Sequence, residues 1–134
     1  MAIGSWDPDN QAAAAALILD EATLTNLVKL AESLPLDALG DHLSAQENER
    51  LSGVMQVNPE NWGAAARSLS DSELLSLIRF LCVAENLPGW EAGERSPVIP
   101  LARELRVRGQ RLDKDLLRWI RSVSDNRFLP YGPL

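Results

Sequence analysis

Lys114, Arg118 and Arg121 stand at i, i+4 and i+7, a spacing that lays three cations along one helix face, opposite Leu116, Leu117, Ile120 and Val123. Arg103, Arg106, Arg108 and Arg111 lie just upstream. With 11 Arg to 2 Lys in the chain, the chemistry favours planar, bidentate pairing to carboxylate or phosphate over simple solubilising charge. The ordinary account of such a face is solvation with local pairs, for example Glu104 with Arg108 at i+4. The functional account is an acidic protein surface, on a partner or on a second copy of the chain. Nucleic acid ranks lower, because no aromatic side chains are interleaved with the arginines and the chain carries a net charge of -6.

Other reactive types give less. His42 is the only histidine; its neighbour Asp41 points about 100° away on a helix, which rules out the histidine–carboxylate contact of a triad. Its ordinary place is solvent or the negative end of a helix. Cys82 lies in an apolar run, one helical turn after Ile78, and reads as an inert core thiol. One histidine and one cysteine supply neither a zinc site nor the paired Glu-x-x-His motifs of a di-iron bundle. Asp113 and Asp115 resemble the start of a calcium loop, but its glycine and closing glutamate are missing, so Asp113 reads as a helix cap. The glycines are scattered singly, which leaves no phosphate-cradling loop. Glu47 and Glu49 diverge on a helix and make a poor acid–base pair. The expectation is therefore no catalytic residue, no metal and no cofactor, with an enzyme acting through carboxylates and arginines the weakest of three readings.

The C-terminal end, Asn126 to Leu134, combines Arg127, Phe128 and Tyr131 with two prolines. Apolar residues and fixed proline angles suggest an extended segment seated in a groove, on its own domain or on a partner. Trp6, Trp62, Trp90 and Trp119 are spread along the chain; Trp62 and Trp90 sit near turns, where covering a core edge is the usual role.

These groups need elements to hold them. A chain of 134 residues, 46% hydrophobic and 24% charged, suits one folded domain and excludes wholesale disorder. Charge is uneven along it. Residues 1–60 hold ten acids against two bases, residues 61–94 five against two, and residues 95–134 four against nine. The first 94 residues thus carry -11 and the last 40 carry +5. A lone cysteine points to a reducing compartment, the cytoplasm. The longest apolar run, Ala12 to Leu19, is far short of the ~18 residues of a membrane span, and acids rather than bases precede it, unlike a secretory signal.

Apolar residues recur at three and four residue intervals and no strand pattern is evident, so the fold class is all-α. Asp7 with Pro8 opens a helical stretch, Gln11 to Ser33, which bends near residues 20–23 and is stopped by Pro35. A short turn follows at Leu36 to His42. Ser44 with Glu47 has capping-box spacing and opens a helix to Gln56. Asn58 with Pro59 starts another, through Arg67. Ser70 with Glu73 repeats the box and opens a central helix to Asn86, with Leu74, Leu75, Ile78, Leu81 and Cys82 on one side. Ser96 with Pro97 caps a helix ended by Gly109, and Asp113 caps the last, to Val123. At an offset of 53, Ala31-Glu32-Ser33-Leu34-Pro35 echoes Ala84-Glu85-Asn86-Leu87-Pro88, which admits a duplicated three-helix unit.

The sequence thus predicts a single irregular bundle of five to seven helices over residues 1–134, with residues 1–8 flexible and 124–134 an extended tail. The expected function is a non-enzymatic protein-interaction or adaptor module, self-association included, with no membrane partner. Its candidate contacts are Arg103, Arg106, Lys114, Arg118, Arg121, Arg127, Phe128 and Tyr131. The alternative is an Arg-mediated binder of nucleic acid or another polyanion.

Overall fold

Two capping boxes set the frame. Ser44 Oγ accepts from Glu47 N–H (3.0 Å) while Ser44 N–H donates to the Glu47 carboxylate (3.2 Å); Ser70 and Glu73 repeat this at 3.1 and 2.8 Å. Each box satisfies amides that a helix start leaves free. The computed structural model describes residues 19, 21–33, 36 and 39–132. Within them run α1 (Glu21–Ser33), α2 (Leu39–His42), α3 (Ala45–Ser52), α4 (Pro59–Ala66), α5 (Asp71–Ala84), α6 (Val98–Val107) and α7 (Lys114–Val123), with 3-10 turns at Gly53–Gln56 and Gly93–Arg95. No described residue is in a strand, and the bundle is all-α. The expected helix from Gln11, its Asp7 cap, Trp6, the Pro35 stop and the flexible start at 1–8 lie outside the described residues.

The other caps follow the same local rules. Asn58 Oδ1 accepts from Glu60 N–H ahead of α4, whose first residue is Pro59, and Asp113 Oδ1 accepts from Leu116 N–H ahead of α7. Gly109, with φ +83°, turns the chain beyond α6 in a backbone region costly for other residues. The Ser44 helix is α-helical only to Ser52 and tightens to a 3-10 turn through Gln56. α6 begins one residue later than the sequence spacing implies, but Ser96 Oγ still accepts from Val98 N–H at 3.1 Å.

α5 is the axis of the bundle, and α1, α2, α6 and α7 all pack on it; α4 packs on α6. The expected apolar side of α5 is present but wider, and Leu75 stands at its edge. Leu77 and Phe80 are fully buried together with Leu74, Ile78, Leu81 and Cys82, while Leu75 is only half-buried; the neighbours packed on α5 widen its buried face, and Ser72 and Arg79 stay exposed on the opposite side. Trp62 and Trp90 also lie deeper than their places near turns imply. Both are 0% exposed: the Trp62 indole N–H donates to Val54 O at 3.0 Å and that of Trp90 donates to Asn48 Oδ1, so neither ring needs water. Phe80 meets Trp90 edge to face at 6.1 Å. The elements of the offset-53 echo are α1, α3 and α4, then α5, α6 and α7, and the leading helices of the two sets pack on each other.

Candidate functional site

α7 carries its charge on one side because its apolar residues are claimed by the core. Leu116 and Ile120 are buried, Leu117 and Trp119 are half-buried, and Lys114, Arg118 and Arg121 are exposed. Leu117 therefore borders the basic stripe instead of standing opposite it. Among the described residues, no carboxylate lies within 4.0 Å of any of these three cations. Arg108 behaves differently. It ion-pairs with Glu104 at 2.8 Å and Asp71 at 2.9 Å, and donates to the carbonyl oxygens of Ala66 at 3.0 Å and Arg67 at 3.4 Å. It ties the end of α6 to the junction of α4 and α5, using the several donors that only arginine offers. The i+4 pairing read from the sequence is present, and it is one part of this clamp.

The C-terminal segment folds back over α6. Leu129 and Pro130 are buried, and the intervening peptide bond is cis. Arg106 Cζ sits 4.2 Å above the centre of the Tyr131 ring, and Arg103 Nη2 donates to Tyr131 O at 3.4 Å. Arg127 lies 5.5 Å from the centre of the Phe128 ring. The eight expected contact residues thus fall into three sets: Arg103 and Arg106 with Tyr131, Arg127 with Phe128, and the unpaired stripe of α7.

A polar centre that sequence spacing does not reveal holds this arrangement. Glu85, just past α5, is 5% exposed, and its carboxylate accepts from Ser96 Oγ at 2.6 Å and Asn126 Nδ2 at 3.0 Å. Asn126 Nδ2 also donates to Gly93 O at 2.8 Å, and Asn126 Oδ1 accepts from Phe128 N–H at 3.0 Å. Burial raises the Glu85 carboxyl above its ordinary pKa, and hydrogen bonds from Ser96, Asn126 and the Ala92 backbone draw it partly back. The only sequence signal was the place of Glu85 in the repeated Ala-Glu-x-Leu-Pro segment. Beside it a cleft of about 440 Å³ is lined by Glu85, Asn86, Glu91, Gly93, Asn126 and Phe128, among others.

Cys82 is 0% exposed and its thiol pKa is raised, first by burial and second by the charge of Glu85, which suits packing and not nucleophilic attack. His42 is exposed in the last turn of α2. Among the described residues, no group of three or more His, Cys, Asp or Glu side chains could hold a metal ion, and no helix is long and apolar enough to cross a membrane. The chain matches no protein-family model, no curated protein and no solved structure.

Proposed function

We propose that this chain is a non-enzymatic protein-interaction module whose α7 stripe, Lys114, Arg118 and Arg121, receives an acidic protein surface. The observation that carries the reading is the contrast within one basic region. Arg108 is saturated by two carboxylates and two carbonyls, whereas the three α7 cations are exposed, aligned and without a carboxylate partner among the described residues. Aligned charges steer an oppositely charged partner and fix its register. Arg103, Arg106, Arg127, Phe128 and Tyr131 extend the proposed surface over α6 and the tail, where contacts within the chain hold them in place. The proposed setting is the cytoplasm, supported by the single thiol buried in the core.

Titration with labelled polyglutamate and with a labelled single-stranded oligonucleotide, at rising salt, tests the reading. The wild type binds polyglutamate at low salt, R118E/R121E does not, and the oligonucleotide stays free. Oligonucleotide affinity that falls steeply with salt favours the polyanion binder instead. Equal binding of polyglutamate by both forms excludes the α7 stripe as the contact surface.

A further inference from the structure

A groove of about 660 Å³ runs between α1 and the segment joining α4 to α5. Leu24, Val28 and Leu69 contribute apolar surface to it, and Glu21, Glu32 and Glu73 contribute carboxylates. Along α1, Glu21, Thr25, Val28 and Glu32 fall at i, i+4, i+7 and i+11, so they share one face, and all four line the groove. Glu21 and Glu32 are exposed and in no ion pair among the described residues; Glu73 is partly engaged by its capping box, and Lys29 is the one base in the lining. An occupant must therefore bring cations at helical spacing with some apolar surface between or beside them.

The chain itself carries such a face. We infer that the groove seats the basic face of α7 from a second copy of this chain, an inference that rests on the reading of α7 given above. Lys114 and Arg121 are about 10 Å apart along their helix, and Glu21 and Glu32 about 16 Å along theirs, at 1.5 Å per residue. Long flexible side chains at both ends close that difference. Arg118 then falls between the outer carboxylates, and half-buried Leu117, on the border of the stripe, faces the apolar floor. The charge imbalance along the chain, acidic before residue 95 and basic after it, has the same sense. Two copies make this contact twice about a two-fold axis, or repeat it head to tail.

Charge reversal of full-length protein tests it, with sedimentation velocity as the readout and circular dichroism as the check on folding. The wild type sediments faster as concentration rises at low salt, and R118E/R121E and E21R/E32R each weaken self-association by about tenfold or more. An equimolar mixture of the two variants restores it, because each then meets its complement. Carbodiimide cross-linking of ¹⁴N and ¹⁵N copies joins Lys114 of one to Glu21 or Glu32 of the other. A wild type that stays monomeric at low salt, or folded variants that mix without restoration, overturns the inference. So does an N-terminal amine linked to Glu21 or Glu32 of its own copy, which assigns the groove to the start of the same chain. A monomer that still binds polyglutamate through α7 defeats this inference alone; if R118E/R121E alters neither measurement, the underlying reading falls with it.

Discussion

Ser96 Oγ donates a 2.6 Å hydrogen bond to Glu85 Oε2 in the interior of the bundle. The contact joins the end of α5 to the start of α6, and Asn126 brings the tail to the same carboxylate. One buried acid therefore positions the helix that carries Arg103 and Arg106 and the segment that carries Arg127, Phe128 and Tyr131. Two pieces of the proposed surface, distant in sequence, share an anchor that is not itself on the surface.

Glu85 makes stability depend on pH with a definite sign. Its folded pKa is raised, so the protonated form is the one the fold favours. The contribution is full below the unfolded value and is lost as pH rises through the higher folded value. Glu85→Gln removes that loss and keeps one of the two oxygens that accept from Ser96 and Asn126. Urea unfolding over a pH series should show the variant gaining on the wild type across that window and running parallel outside it. Glu85→Ala, which leaves Ser96 Oγ without its acceptor and Asn126 Nδ2 with Gly93 O alone, should cost about 1–3 kcal/mol.

Arg108 should prove a structural arginine. Arg108→Ala is expected to lower the urea midpoint by freeing Asp71 and Glu104 and two carbonyls at once. Arg108→Lys should recover only part of the loss, since a point charge cannot reach the same set of acceptors. Binding of polyglutamate by the folded variants should stay close to that of the wild type, which separates this residue from the α7 stripe.

Trp62 tests the depth of the indoles. Trp62→Phe removes the donor to Val54 O and leaves unfilled volume at a fully buried site. A loss of about 2–3 kcal/mol is expected from the combined cavity and hydrogen-bond terms, read by thermal or urea unfolding.

Cys82 should be silent in the native protein. Burial and the nearby Glu85 charge both disfavour the thiolate, and the side chain has no solvent exposure. Labelling with a thiol reagent at pH 8 should follow the rate of unfolding and become immediate in denaturant. Fast labelling of the folded protein would contradict the packing described for α5.

The parts legible in the sequence are those set by neighbours along the chain. Ser44 with Glu47, Ser70 with Glu73, Asn58 with Pro59, and Asp113 mark helix starts because a cap needs only the residues two or three places on. The α7 stripe is legible for the same reason. Glu85 was not, because its partners Ser96 and Asn126 lie 11 and 41 residues away and only the packing brings them together. Arg108 was half legible: Glu104 is one helical turn away, but Asp71 and the α4 carbonyl require the tertiary fold. Trp62 and Trp90 look like edge residues by their nearness to turns, and the acceptors that let them sink are at Val54 and Asn48.

On the proposed reading, Lys114, Arg118 and Arg121 form a contact surface for protein. Its most direct test is affinity capture with the full chain as bait, in the wild-type form and as R118E/R121E, with captured proteins measured by mass spectrometry and the fold of each bait checked by circular dichroism. A specific partner, or the chain itself, is expected to be enriched by the wild type and lost by the folded variant. Identical recovery by both baits, or nothing specific from either, would contradict it.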